Sequence, residues 1–283
     1  MPARQSPTVR RRRLGLELRR HREAAGLTTE RVAELLECSH SKISRIETGQ
    51  VRATPRDVRD MLEIYGIDSE QREALIQIAR EARQTGWWHA YGDVIKESSY
   101  VGLEAAAASI RTFEPLVVPG LFQTTEYSRA VLRKLVPKLH PEEVARQLEL
   151  RMTRQLMLTQ DDPPAVWVVL DEAALRRPVG ERGVMVEQLH HLTEAAALPT
   201  VTIQVLPFSA GEHPGLSGAF TILGFPDPAD PDIVYIEHAS GDLYLERAEE
   251  IQQYALRFDY LRAAALAPDD SAAFLAALLK ELL

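Results

Sequence analysis

The sequence predicts an α+β protein in two parts: an all-α N-terminal domain of five short helices, then a larger α+β domain built on a mixed sheet. Three observations carry that prediction. A chain of 283 residues exceeds one small module, because domains average roughly 150 residues. Helical periodicity, broken by capping residues and glycine stops, fills the first 84 residues. The β-rich runs begin only at Ala165 and are interleaved with helical segments, the pattern of helices packed on a sheet.

Leu14, Leu18 and Ala25 share one side of a helix and Gly26 stops it, which predicts a first helix over 12–25. Thr28 caps a second to residue 36, with Val32, Ala33, Leu35 and Leu36 inward. Ser39 caps a third running through Thr48, and Gly49 ends it. Pro55 suits the first turn of a fourth helix over 55–65. A fifth, 69–84, carries Leu75, Ile78, Ala79 and Ala82 on one face. The second and third, joined by a turn of about three residues, make a helix-turn-helix. The domain boundary is expected at Thr85-Gly86, giving domains 1–85 and 86–283.

Beyond it, helices are predicted at 101–113, 125–135, 142–158 and 184–197. Strands are predicted at 165–170, 201–207, 219–225 and 233–238, with a short edge at 242–245. The last helix, 271–283, aligns Phe274, Leu275, Leu278, Leu279 and Leu282; this stripe either packs on its own domain or joins two copies through Phe274, Leu278 and Leu282. Trp87-Trp88, just after the fifth helix, suits an interdomain or partner-facing packing anchor better than a ligand cage.

A net charge of −8 hides a segregation. Residues 1–59 hold 14 Lys and Arg against 7 Asp and Glu, net +7, and the remainder is net −15. Phosphate binding answers to the local field, so a basic head on an acidic body opens the possibility of nucleic acid. One cysteine, Cys38, excludes an intrachain disulfide framework and a Cys-rich zinc module. No apolar run approaches the ~18 residues of a membrane span, and the Arg-rich start lacks a signal-peptide core; a cytoplasmic protein is expected.

The third helix is the element that points to a function. Ile43 and Ile46 form a narrow apolar side, while His40, Ser41, Ser44 and Arg45 point away and Lys42 flanks them. Side chains near the start of such a helix can reach base edges in a major groove, and Arg or Lys can meet guanine or phosphate. Ser39 and the helix N-terminus can meet phosphate.

Catalytic and metal chemistry find little support. A Ser-Lys protease site needs a lysine beside a serine, and beyond the head there are only Lys96, Lys134, Lys138 and Lys280, none in the β-rich region. His213, Glu237 and His238 lack a tight ligand spacing, and adjacent His190 and His191 diverge by about 100° on a helix. Asp171-Glu172 followed by Arg176-Arg177 reads best as a salt-bridge network. No phosphate loop is present, and VPGLFQT and LPFSAGEHPGLSG read as constrained loops. No catalytic residue, metal or cofactor is expected.

The run LRRHREAAGLTTERVAELLECSHSKISRIETGQVRATPRDVRDMLEIYGI resembles the Xre/lambda-repressor-type helix-turn-helix, with SHSKISRIETG its most specific part. The resemblance implies double-stranded DNA as partner. It puts Thr29 at the start of the supporting helix, and His40 and Ser41 at the leading base-contacting positions. Ser39, Lys42, Ser44, Arg45 and Gln50 surround them, and Glu47 takes a structural role toward nearby arginines. Glu37 stands where that family usually has glycine, at a turn that favours positive φ.

From Trp87 to Leu275, segments including YVGLEAAAASIRTFEPLVVPGLFQTTEYSRAVL and VTIQVLPFSAGEHPGLSGAFTILGFPDP resemble the domain attached to such helix-turn-helix proteins in filamentous actinobacteria, among them WhiJ-type regulators. That likeness implies a transcriptional regulator paired with a small acidic protein encoded next door, in an arrangement likened to antitoxin and toxin. A homodimer on an inverted-repeat operator is expected, since one reader covers only a few base pairs.

Overall fold

A computed structural model describes residues 6–95, 100–136, 140–238 and 240–283. The chain folds as two compact units: Met1–Ala106 with Asp227–Asp230, and Ala107–Pro226 with Pro231–Leu283. The Thr85-Gly86 boundary expected from the sequence falls inside the first unit.

The first unit is helical. α1 (Pro7–Ala24) starts earlier than periodicity suggests, because Ser6 accepts the Thr8 N–H and Pro7 fits the first turn. The arginine run therefore lies within a helix. α2 (Thr29–Leu35), α3 (His40–Glu47), α4 (Pro55–Ile64) and α5 (Ser69–Glu81) follow. Thr28, Ser39, Thr54 and Asp68 each cap one of them, at about 1 kcal/mol apiece. Leu14, Leu18, Val32, Ile46, Met61 and Leu62 meet in their common core. A 3-10 turn (Trp87–Tyr91) and α6 (Tyr100–Glu104) complete the unit. Trp88 is buried and packs on Gly102, whereas Trp87 keeps 42% of its surface and meets Trp88 and Tyr91 edge-on. Trp88 thus serves the interior of the first unit, while Trp87 stays exposed beside it.

The second unit is built on a six-stranded mixed sheet in the order β3-β2-β1-β4-β5-β6. The strands are β1 (Ser109–Glu114), β2 (Ala165–Asp171), β3 (Val201–Leu206), β4 (Phe220–Gly224), β5 (Ile233–Ile236) and β6 (Leu243–Leu245). β1, β2 and β3 are parallel neighbours, and β4, β5 and β6 continue antiparallel from β1. The helices are α7 (Thr125–Leu135), α8 (Pro141–Gln155), α9 (Glu172–Arg176), α10 (Arg182–Ala196), α11 (Ala248–Ala264) and α12 (Pro268–Leu282).

Three elements differ from the sequence-based expectation: β1, the short α9, which was not expected, and α11. The helix expected over 101–113 stops at Glu104, and 109–114 is β1, in the middle of the sheet. Alanines 105–108 favour helix locally, but Ala106 and Ala107 are fully packed and the next six residues gain two ladders, which outweighs propensity. α11 has no counterpart in the sequence-based prediction. Its Ile251, Tyr254, Ala255, Phe258 and Leu261 form one seam against Phe113, Val169, Phe220, Ile222 and Val234 of the sheet.

Candidate nucleic-acid interface

α3 is held from below by three contacts. Ile43 and Ile46 are buried in the helical core. Gly15 lets α1 cross so close that a Cβ there would stand 2.5 Å from the Glu47 carbonyl oxygen. Glu47 itself is buried and receives both arms of Arg22, Nε at 2.7 Å and Nη2 at 2.9 Å, while Arg22 Nη1 donates to the Leu27 carbonyl at 2.8 Å. The Glu47 hydrogen bond raises the Arg22 pKa further above its already high value, against the opposing effect of burial. The structural role foreseen for Glu47 is thus what the geometry shows. Glu37, in the turn before α3, has φ of 50° and is the one non-glycine residue with positive φ among the described residues. This is the left-handed geometry anticipated from the missing glycine, at about 1 kcal/mol of strain.

With its underside anchored, α3 turns its other face to solvent. Ser39, His40, Ser41, Arg45 and Gln50 are exposed, and Thr29, Lys42 and Ser44 are half-buried at the margin. The Ser39 hydroxyl accepts the Lys42 N–H at 3.2 Å, as a cap. Arg45 Nε donates to the Ser41 carbonyl at 3.2 Å, and among the described residues no carboxylate pairs with it. Lys42 differs: its Nζ lies 2.6 Å from Asp57 Oδ1, and Asp57 Oδ2 accepts from Thr54 in the capping box of α4. Burial acts to raise the Asp57 pKa, but the Lys42 and Thr54 hydrogen bonds outweigh it and hold the carboxyl below its usual value. His40 Nε2 stands 3.5 Å from Glu30, and Thr29 Oγ1 donates to the same carboxylate at 3.3 Å.

The positive charge of the head is largely internal. Arg10 pairs with Glu81, Arg13 with Asp227 at 2.6 Å, Arg19 with Glu23, Arg20 with Glu17 and Arg31 with Glu34. Local excess of arginine is therefore a poor map of free charge, and Arg45 stands out because α3 carries it without a counter-ion.

In the second unit, the Asp171-Glu172 and Arg176-Arg177 run builds a network. Arg176 Nε meets Glu172 at 2.6 Å, Phe208 N–H donates to Glu172 at 2.8 Å, and Asp171 caps α9 through the Ala173 N–H. In His213, Nδ1 accepts the Gly215 N–H at 3.2 Å, and Nε2 faces Asp171 at 3.5 Å. His238 turns instead to Ser240, at 2.9 Å. Among the described residues no group of three His, Cys, Asp or Glu is placed to hold a metal, and no helix is long and apolar enough to cross a membrane. Lys134 and Lys280 are exposed on helices, and Lys96 and Lys138 lie outside the described residues. Of the proposed dimer stripe, Leu278 is buried in its own unit, with Phe274 and Leu282 half-buried beside it. The alternative of packing within the domain accounts for Leu278, because α12 lies on α10 and β3.

Glu114, half-buried at the end of β1, shows how burial titrates this unit: burial, then the nearby Glu237, pushes its carboxyl up to about 8. A folded-state pKa above the unfolded one means that the folded state prefers the protonated acid. Its contribution is present at low pH and is lost as pH rises from about 4.5 toward 8. Glu114→Gln is expected to flatten the stability-pH profile across that window, as read by urea unfolding at pH 5 and pH 9. An unchanged profile would remove Glu114 as its source.

Comparison with known families agrees with both halves. A helix-turn-helix domain model matches residues 13–75, which span α1 to most of α5. A second model, a domain of unknown function (DUF5753), matches residues 98–277, more than half of the chain. No curated protein and no solved structure matches the chain. The anchored α3 thus belongs to a DNA-binding helix-turn-helix domain, and the match over residues 98–277 places the chain in the DUF5753 family.

Proposed function

We propose that this protein is a sequence-specific transcriptional regulator that reads DNA with the exposed face of α3. One observation carries the reading: a helix locked beneath by Ile43, Ile46 and the Arg22–Glu47 pair presents Ser39, His40, Ser41, Arg45 and Gln50 to solvent, with Arg45 free of any carboxylate. Thr29 and Ser44 flank that surface and suit phosphate contacts. The reader works as a homodimer on an inverted repeat, two copies placing their α3 helices about one DNA turn, ~34 Å, apart. The resemblance to WhiJ-type regulators supports control through the C-terminal domain by a small acidic partner or a ligand. It supports equally an antitoxin-like protein whose DNA binding serves autoregulation. With no group of three His, Cys, Asp or Glu placed to hold a metal among the described residues, we favour binding over chemistry for the second unit.

The test is operator affinity after selection of genomic fragments by the purified protein. Arg45→Ala is expected to weaken binding by about 1–3 kcal/mol. Lys42→Ala is expected to cost less, because Asp57 already neutralises that ammonium. Wild-type affinity in Arg45→Ala would sink the assignment of α3 as the reader. Where a small acidic protein is encoded beside the gene, a shift of operator affinity on adding it supports control by that partner.

A further inference from the structure

The second unit contains a cavity that the DNA-binding reading does not use. It measures about 360 Å³ and lies between the α9–α10 loop, the start of α10 and the end of α12. Its floor is apolar: Leu175, Met185 and Leu278 are each at most 5% exposed, and Leu282 closes one side. That size and lining suit a small amphipathic molecule.

The charges at the mouth are mixed, and Arg182 is the guanidinium among them that can select the kind of molecule, beside the exposed Glu181. Arg176 and Arg182 both line the cavity, with Glu181 and Glu281. Arg176 is already neutralised, since it reaches Glu172 at 2.6 Å and Glu281 at 3.1 Å and stacks over Phe274. Arg182 is not: its Nε donates to the Leu282 carbonyl, and among the described residues no carboxylate pairs with it. Its remaining guanidinium donors are left for an anion, and a planar fork of donors matches a carboxylate. The pocket end of α10 adds a favourable field, because Glu181 makes no side-chain cap there; the Val184 N–H is taken by the Glu181 carbonyl at 3.0 Å, which leaves those of Arg182 and Gly183.

We propose that this cavity binds a carboxylate carrying an aliphatic chain, the chain on the Leu175, Met185 and Leu278 floor and the carboxylate on Arg182. Bound there, the molecule would bridge α10 to α12, whose start is tied to β3 by the Val205 N–H donating to Ser271 at 3.0 Å. The site concerns the second unit alone and does not depend on α3 reading DNA.

The experiment is calorimetric titration of the full chain, without DNA, with octanoate, octanol and octylamine. Octanoate is expected to bind with Kd below about 1 mM, and octylamine at least about tenfold more weakly. Arg182→Gln, an exposed change that spares the core, is expected to weaken octanoate about tenfold or more and leave octanol unchanged. Met185→Trp, which fills the cavity, is expected to abolish both. Absence of octanoate binding, equal binding of octylamine, or full octanoate affinity in Arg182→Gln would each overturn the proposal. Should Met185→Trp fail to fold, the Arg182→Gln comparison decides.

Discussion

Glu47→Ala is expected to destabilise the first unit by about 3–5 kcal/mol, because it leaves the buried Arg22 guanidinium without its counter-charge. Much of that loss is the cost of an uncompensated ion, and less of it is the worth of the pair. Replacing both partners, as in Arg22→Met with Glu47→Leu, is therefore expected to restore most of the stability. Chemical unfolding followed by far-ultraviolet circular dichroism, on both variants, checks this. A Glu47→Ala loss below about 1 kcal/mol would mean that water reaches Arg22 and that the pair does not hold α3.

Gly15→Ala gives the second large effect, and its sign distinguishes packing from propensity. Inside a helix such as α1, alanine should gain about 1 kcal/mol over glycine. The added methyl, however, would stand 2.5 Å from the Glu47 carbonyl oxygen and 2.7 Å from that of Ile46, both backbone atoms that cannot swing aside. The expected outcome is a net loss of about 1–3 kcal/mol or more, with α3 displaced from α1 and operator affinity reduced. Stabilisation by Gly15→Ala would show that the two helices do not meet this closely.

The helical domain was legible because its signals are local. Thr28, Ser39, Thr54 and Asp68 cap helices within three residues of themselves, and the isoleucine pair of α3 marks its buried side by spacing alone. Glu37 was legible for the same reason: a turn that favours glycine strains any other residue, wherever the rest of the chain lies. The strands of the second unit were visible as β-branched runs with one exception, β1, where four alanines point to helix and only pairing with β2 and β4 decides otherwise. The seam of α11, Ile251, Tyr254, Phe258 and Leu261, carried a helical signal that periodicity could have found.

What the sequence determined alone is the kind of protein: a helix-turn-helix domain whose third helix has a polar face, joined to a mixed-sheet domain. Tertiary structure decided which charges are free. Arg10, Arg13 and Lys42 read alike as basic residues, yet Glu81, Asp227 and Asp57 neutralise them, the first two partners lying 71 and 214 positions away in the chain. Arg45 and Arg182 were left without a carboxylate among the described residues by the same packing. Charge pairing acts over a few ångströms of space, and partners far apart in the chain follow no period along it, so only the folded structure separates a guanidinium that holds the protein together from one that can hold a ligand.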